Sequence, residues 1–347
     1  MWKDELIEIL FSNDPSKINA KKAINLKYEN TPSSLYRYRS FNRHSLDLLK
    51  TDKIKLSRPT DFNDPFDCGL KMAAKDLPED YIKEFVVPYT FNDLKQNYGI
   101  SNKNYGKLIR SKNIVHDLAK FIVKTKMPNI SLKERNKIIE EEKKSFIEGF
   151  LDPKFKEKIH VACFSETYES NLMWSHYAND HKGFCVEYNF KELGIEDPVT
   201  RFIFPVLYQK NIFDLKNYLP DSNKEFDNVL RSYMDNIKEE DILNGIKLPR
   251  SVDKRFNNML VFYNALIKSE DWKYEKEWRY VFTVDTTEKK YLFIPKPKAI
   301  YLGAKISKKN FEEILKIVKD RNINVYKMET KNSEYSFETK IIYETKN

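Results

Sequence analysis

The chain has 347 residues, of which 41% are apolar and 14% aromatic, so it can form a substantial core. Its 8 glycines and 14 prolines exclude collagen-like and linker-rich architectures. Lysine and arginine exceed aspartate and glutamate by 61 to 52, and the resulting charge of +9 would attract nucleic acid or an anionic ligand. AT-rich codon usage, which favours lysine, explains the same excess without any such partner.

The cysteines, the start of the chain and the apolar runs indicate the compartment. The three cysteines are widely spaced, which excludes a disulfide framework and fits reduced thiols. Charges at residues 3–5 interrupt what would be the start of a signal peptide, and no run of about 18 apolar residues exists to span a bilayer. We therefore expect a cytoplasmic protein with no membrane partner, and the sequence leaves its oligomeric state open.

The first third of the chain mixes short strands with a helical segment. Residues 2–12 predict a short amphipathic helix, and residues 45–50 a helical turn. LYRYR at 35–39 and KIKLS at 53–57 alternate as strands do. RPTDFNDPFDCG, which follows, is typical of a turn-rich loop.

The remaining elements do not alternate strictly between helix and strand. Charged, helix-prone segments predict two helical insertions, at about 77–158 and 211–270. The last clear helix is expected at 307–322, with Ser307 as its N-cap. Strand-like segments occupy residues 160–166, 183–190, 201–208, 278–284, 291–294 and 299–303 and the end of the chain.

This order favours an α+β fold in a single domain spanning residues 1–347. We expect a central, mostly antiparallel sheet, or two packed sheets. The core strands should lie within residues 35–70, 160–208 and 272–345.

Three aromatic-rich clusters, at residues 35–67, 163–188 and 272–279, are predicted to form one polar site. In the first, the period of two places Arg37 and Arg39 on one face of a strand. Two adjacent guanidiniums repel each other unless an anion lies between them, and a phosphate or pyrophosphate matches their geometry. Asp64 or Asp67 would serve equally well as partners. The amide of Asn63 is a further candidate for contact with a ligand.

The second cluster combines Ser165 with the segment LMWSHYANDHKGFCVEY. Its aromatic and histidine side chains predict a ligand-binding wall, formed by Trp174, His176, Tyr177 and His181. No metal site is expected, because C-x-x-C, H-x-x-x-H and H-E-x-x-H are all absent from the sequence. Cysteine nucleophiles are disfavoured, because the cysteines of this cluster lie within apolar strands, where thiols are usually inert.

The third cluster contains two glutamates separated by one residue, followed by a tryptophan and an arginine. On a strand, Glu275 and Glu277 would point the same way, and in a desolvated setting one of the two pKa values would rise. That arrangement suits acid–base chemistry or stabilisation of a cation. Alternatively, each glutamate would simply pair with Arg279 or with the arginines of the first cluster.

The motifs LYRYR, FNDPFDC, CFSE, LMWSHYA and YEKEWR, in this order, resemble the bacterial DUF2971 family, a domain of unknown function. The resemblance covers residues 35–303 outside the two insertions. It implies a cytoplasmic location and a place in a phage-defence (antiviral) or toxin-like gene set. It implies no settled activity.

The order arginine, serine, Glu-x-Glu also resembles that of ADP-ribosyltransferases. This resemblance implies that Arg37 or Arg39 holds the pyrophosphate or ribose of NAD and that Ser165 supports the glutamate. Glu277 would bind the nicotinamide ribose and stabilise an oxocarbenium-like transition state, while Glu275 would activate the acceptor. Tyr177 or Trp174 would stack on nicotinamide. The serine departs from the family pattern, because it lies in CFSE and not in Ser-Thr-Ser.

Three functions are therefore predicted. The first is an NAD-using enzyme, similar to ADP-ribosyltransferases or NAD glycohydrolases, with a protein or nucleic-acid target as acceptor. The second is a metal-assisted nuclease, whose carboxylates would be Asp64, Asp67, Glu166, Glu187 and Glu277. The third is a non-catalytic nucleotide-sensing module, in which the helical insertions contact a partner.

Overall fold

The structure is a computed structural model, and it describes most of the chain. The described residues are 2–12, 17, 19–71, 94–96, 98–108, 110–111, 113–146, 156, 159–214, 262–283 and 291–345.

Within these ranges, eight strands form one sheet. In chain order its strands are β1 (Leu35–Arg39), β4 (Ile159–Ser165), β5 (Phe184–Tyr188), β6 (Ile203–Pro205), β10 (Glu277–Thr283), β12 (Ala299–Leu302), β13 (Asn324–Thr330) and β14 (Phe337–Tyr343). Their order in the sheet is β14-β13-β12-β5-β1-β4-β10-β6. Neighbouring strands are antiparallel except β12 and β13, which run parallel. The predicted α+β class with a mostly antiparallel central sheet is confirmed.

The remaining described strands form three two-stranded sheets, so the alternative of two large packed sheets does not describe this part of the chain. They are β2 (Lys53–Lys55) with β11 (Tyr291–Phe293), β3 (Leu70–Lys71) with β8 (Phe213–Asp214), and β7 (Leu207–Gln209) with β9 (Ile267–Ser269). The strand β9 lies in a segment predicted to be helical. It is a strand because its backbone pairs with β7, a tertiary contact that local propensity does not contain.

Helices cover the sheet and form the first insertion. They are α1 (Trp2–Leu10), α2 (Ala20–Asn30), α3 (Arg43–Thr51), α4 (Asn102–Leu108), α5 (Ile114–Lys126), α6 (Leu132–Phe146), α7 (Asn171–Tyr177), α8 (Pro198–Phe202) and α9 (Lys308–Asp320). Short 3₁₀ helices span Pro59–Asp61, Phe190–Leu193 and Glu270–Glu275. Most of the predicted second insertion, residues 215–261, lies outside the described residues.

Two helices show how local sequence produced these elements. In α1, Leu6, Ile9 and Leu10 are buried on one face, as their spacing predicted. Helix α9 begins where Ser307 accepts a hydrogen bond from the backbone of Asn310, and this confirms the predicted N-cap. None of the helices in the described part of the chain has the length and apolar content that a bilayer span requires.

Candidate functional site

The site lies where the central sheet opens between β1 and β4. These strands share a single residue pair, Tyr36 with Ser165, whereas β1 and β5 are paired along their full length. Further along β4 the place of β1 is taken by Ser57, which exchanges two backbone hydrogen bonds with Val161. The loop 58–69 therefore starts beside the gap. The separated strands and this loop enclose a pocket.

The pocket has a volume of about 150 Å³. It brings together seven of the ten predicted site residues, which are Arg37, Arg39, Asn63, Ser165, Tyr177, Glu275 and Glu277. All three sequence clusters contribute to it. In the described residues the three clusters therefore meet at one pocket, as the sequence predicted.

Arg37 and Arg39 project from β1 into this pocket. Arg37 is only 8% exposed. Among the described residues its side chain has one acceptor, the carbonyl of Cys163 at 2.8 Å, and its Nε is buried without a partner. Arg39 is partly buried and neither donates a hydrogen bond to nor forms an ion pair with any described residue. The carboxylates weighed as their partners, Asp64 and Asp67, are engaged elsewhere.

The lack of ion-pair partners is reflected in the pKa values of these two arginines. Burial lowers the pKa of Arg37. Burial and the neighbouring Arg37 lower the pKa of Arg39 to about 9. An arginine surrounded by carboxylates would show the opposite shift, because a nearby anion favours the charged form. The charge of Glu277 favours the charged form of Arg37, but burial outweighs it, and neither arginine forms an ion pair with a described residue.

On the opposite wall, Arg279 binds two carboxylates, that of Asp67 in the loop 58–69 and that of Glu277 on its own strand, β10. Its guanidinium donates to both oxygens of Asp67, at 2.8 and 2.6 Å, and to both oxygens of Glu277, at 2.8 and 3.0 Å. All three side chains are buried. This double fork fastens the loop 58–69 to the start of β10, and it is the pairing that the alternative interpretation of Glu277 anticipated.

Lys268 sits at the centre of three carboxylates. Its Nζ lies 2.5 Å from Glu275, 2.9 Å from Glu277 and 3.7 Å from Asp67. A lysine therefore occupies the point at which these carboxylates converge. Sequence reasoning missed it, because it fell in the predicted helical insertion. The available signal was a single lysine directly after the apolar run Ala-Leu-Ile.

Glu275 reaches the pocket by a route that differs from the prediction. It ends the 3₁₀ helix Glu270–Glu275, and Lys276 then adopts a left-handed conformation with φ 46° before β10 begins at Glu277. The two glutamates are therefore not neighbours on one strand. They converge because both bind Lys268. The hydroxyl of Tyr177 donates a 2.7 Å hydrogen bond to the other oxygen of Glu275.

The environments of the two glutamates separate their pKa values. Burial and the charge of Glu277 raise the pKa of Glu275. Burial would also raise the pKa of Glu277, but Arg279 and Lys268 outweigh it and hold that pKa well below the usual range. The pocket thus contains one firmly ionised carboxylate and one that takes up a proton more readily. Such a division is typical of acid–base sites.

Ser165 lies in the pocket with its hydroxyl already committed. It is fully buried, donates to the backbone carbonyl of Glu275 at 2.7 Å and accepts from the backbone of Thr167. It therefore fixes the backbone before β10, and among the described residues its hydroxyl makes no hydrogen bond to a glutamate carboxylate. The resemblance implied that Ser165 supports the glutamate. Here Ser165 does so through its hydrogen bond to the backbone of Glu275.

Three predicted ligand-binding residues do not line the pocket, namely Trp174, His176 and His181. Trp174 is fully buried in a second apolar cluster, where its Nε1 donates to the carbonyl of Tyr168. His181 is also buried, stacks on Trp174 and lies 3.1 Å from the hydroxyl of Ser175. The structure does not place these two residues at the pocket: α7 directs Trp174 into the core, and His181 is buried in the turn that follows the helix, where its backbone is left-handed with φ 66°. His176, on the same helix, is exposed.

The loop FNDPFD divides its polar residues between architecture and the pocket. Asp64 accepts a hydrogen bond from the backbone of Phe66, which is the expected Asx-turn. Asn63 is exposed at the edge of the pocket. Burial raises the pKa values of the Cys163 and Cys185 thiols well above normal, which agrees with their interpretation as inert cysteines.

Of the carboxylates proposed for a nuclease, Asp67 and Glu277 meet at the pocket, where both bind Arg279, whereas Glu166 and Glu187 have partners elsewhere. Glu166 accepts from the indole of Trp278, and Glu187 accepts from Ser34 and Tyr301. Among the described residues no group of three histidine, cysteine or acidic side chains is arranged to hold a metal ion.

The comparison with protein families bears on the middle of the chain. The model of a family described as "protein of unknown function (DUF2971)" matches residues 173–280. The match confirms the predicted DUF2971 resemblance. It extends from α7 to β10 and so includes Tyr177, Lys268, Glu275 and Glu277. No curated protein and no solved structure matches the chain. The resemblance to ADP-ribosyltransferases stays a prediction.

Proposed function

We propose that the pocket binds a phosphorylated nucleotide, with NAD as the first candidate, and that the chain cleaves the bond between nicotinamide and ribose. The observation that carries this proposal is the pair of buried or partly buried arginines, Arg37 and Arg39, that no described carboxylate neutralises.

The charges in the pocket favour an anionic ligand. Four cationic side chains and three carboxylates line or adjoin it among the described residues, which leaves a net charge of +1 when all are ionised. The carboxylates all contact Lys268 within 4 Å, so the excess positive charge lies at β1. A phosphate group would supply the acceptors that both guanidiniums lack. Charge-assisted bonds of this kind are among the strongest that proteins form.

The two glutamates divide the chemistry of bond cleavage. Glu277, kept ionised by Arg279 and Lys268, would stabilise positive charge that develops on the ribose. Glu275, with its raised pKa, would accept a proton from the attacking water. In that step the oxygen of water bonds to the anomeric carbon, and the carbon–nitrogen bond breaks. Nicotinamide then leaves with the bonding electrons, and the proton of water passes to Glu275.

This assignment gives the proton transfer to Glu275, the glutamate that the resemblance to ADP-ribosyltransferases also implies as the activator of the acceptor. The oxygens of Glu277 already accept three hydrogen bonds from Arg279 and Lys268. Glu275 accepts one from Lys268 and one from Tyr177, so it retains acceptor capacity for a water molecule. With a protein or nucleic-acid acceptor in place of water, the same step would transfer ADP-ribose.

The test is NAD turnover by the purified chain, followed by chromatography of free nicotinamide. Glu275→Gln keeps the shape but removes the base, and we expect at least a 100-fold loss, in line with general-base catalysis that contributes about 10²–10⁴-fold. Glu312→Gln, an exposed substitution on α9, serves as the matched control and should leave turnover unchanged. Turnover that is equal in Glu275→Gln and wild type would overturn the assignment.

The second candidate is a nucleotide sensor without catalysis. It is favoured by the saturation of Glu277 and by the commitment of the Ser165 hydroxyl to the main chain. It predicts that NAD raises the melting temperature of the protein while its concentration stays constant over hours. Consumption of NAD that depends on Glu275 would exclude this candidate.

A further inference from the structure

Three aromatic side chains form a group beside the pocket, which we call the aromatic rim. It consists of His176, Trp272 and Tyr274. The ring centroids are 6.4 Å apart between His176 and Trp272, 6.5 Å between His176 and Tyr274, and 6.0 Å between Trp272 and Tyr274. The rim joins two elements that are separated by about a hundred residues, α7 and the 3₁₀ helix Glu270–Glu275.

The rim adjoins the pocket at Glu275. The ring of His176 lies 6.3 Å from that of Tyr177, whose hydroxyl binds Glu275. On the other side, the Nζ of Lys268 lies over one face of Trp272, 5.1 Å from the ring centroid, and binds the same glutamate. The rim is therefore connected to the carboxylate end of the pocket, across from the arginines of β1.

The rim is accessible to solvent. His176 is exposed, and Trp272 and Tyr274 are partly buried. Trp272 does not belong to any apolar cluster of the described residues. Two buried tryptophans, Trp174 and Trp278, contrast with it because both are fully enclosed in the core. Tyr274 packs against the apolar cluster that contains Trp174, and Lys268 covers one face of Trp272, so the exposed ring of His176 and the exposed part of Trp272 are what the rim offers to a ligand.

We propose that the aromatic rim is the stacking surface for the flat heteroaromatic base of a nucleotide whose phosphate lies at Arg37 and Arg39. This inference rests on the proposed function, since it uses the same anion site. It defines the ligand class as a nucleoside phosphate, held with its base on the rim, its ribose next to Glu275 and its phosphate at β1. The bond between base and ribose then lies beside the glutamate assigned to the reaction.

The arrangement has a measurable consequence for affinity. Stacking of a base on an aromatic side chain contributes about 1–3 kcal/mol, which corresponds to roughly 5- to 150-fold in the dissociation constant. Such stacking depends little on which base is present, because every base has a π face. The contribution should therefore be absent for a ligand that has the ribose and phosphate but no base.

The experiment compares AMP with ribose 5-phosphate by isothermal titration calorimetry on the full chain. AMP should bind roughly 5- to 150-fold more tightly. Trp272→Ala should remove most of this advantage and leave the affinity for ribose 5-phosphate unchanged. Tyr335→Ala is the matched control, because Tyr335 is a fully exposed aromatic residue in the loop between β13 and β14. It should bind both compounds as wild type does.

Tryptophan fluorescence gives a second readout that does not depend on heats of binding. AMP should quench the emission of wild type and not that of Trp272→Ala. Equal affinities of wild type for AMP and ribose 5-phosphate would overturn the stacking proposal while leaving the anion site intact. The same holds if Trp272→Ala weakens both compounds equally. If wild type binds neither AMP nor ribose 5-phosphate, the proposed function fails together with this inference.

Discussion

Replacing Arg39 with methionine should stabilise the ligand-free protein, although it removes a side chain of the pocket. The guanidinium is partly buried beside a second cation and has no described counter-ion. Burial and Arg37 lower its pKa to about 9, so folding disfavours the charged form that exists at neutral pH. Methionine keeps the length and apolar stem of arginine, and it removes the uncompensated charge.

The size of the effect follows from what buried charges cost. Replacement of even a buried ion pair by apolar side chains of similar volume is often stabilising, by about 1–4 kcal/mol, and Arg39 lacks the attraction of a paired carboxylate that would oppose this gain. With an unfolding entropy of about 2.1 cal/mol/K per residue, each kcal/mol moves the melting temperature of a chain of 347 residues by about 1.4 °C. We therefore expect Arg39→Met to melt about 1.5–6 °C above wild type.

The pH dependence has a defined sign. Because the pKa of Arg39 is lower in the folded chain than the usual 12.5, the penalty is complete below about 9 and disappears as the pH rises further. The advantage of Arg39→Met should therefore be full at pH 7 and smaller at pH 10. Phosphate should stabilise wild type and not the variant, by about 2.7 kcal/mol at a concentration of 100 times its dissociation constant.

The assay is urea or thermal unfolding in a chloride buffer of low ionic strength, free of phosphate and sulfate, with and without added phosphate. If Arg39→Met proves less stable than wild type by more than about 1 kcal/mol in the anion-free buffer, the guanidinium makes a favourable interaction that the described residues lack. The reasoning on an unpaired arginine would then be refuted, and the anion site would lose its main support.

Two further predictions test the opposite wall. Arg279→Met should destabilise the protein by about 3–5 kcal/mol at pH 7, because it leaves two buried carboxylates with one fewer partner. Arg279 holds the pKa of Glu277 below its usual 4.5, so the deficit relative to wild type should be constant above that pH and shrink as the pH falls below it; a deficit that stays unchanged from pH 5 down to pH 3 would contradict the pairing. Tyr177→Phe removes a hydrogen bond that lowers the pKa of Glu275. The acidic limb of the NAD-cleavage profile should then move up by about one pH unit, and an unshifted limb would count against Glu275 as the base.

The sequence by itself determined the elements whose signals are local. Alternation in LYRYR placed both arginines on one strand, and Ser307 marked the start of α9. The same signals gave the α+β class, because the order of helices and strands can be read from periodicity alone. They also brought the three clusters into one expected site, since adjacent arginines on a strand and closely spaced glutamates are visible as residue types.

Only the tertiary structure decided which charges meet. Asp67 and Arg279 are 212 residues apart, and no local pattern connects them. Lys268 is central because β9 pairs with β7, in a segment whose composition favoured a helix. Glu275 left the predicted strand for a 3₁₀ helix. The physical reason is that ion pairs and strand pairing depend on distance in space, whereas periodicity reports only which face of an element is apolar. For that reason the sequence indicated the arginines and glutamates as candidates, and only the fold showed that Arg279 and Lys268 bind the carboxylates while Arg37 and Arg39 form no ion pair with a described residue.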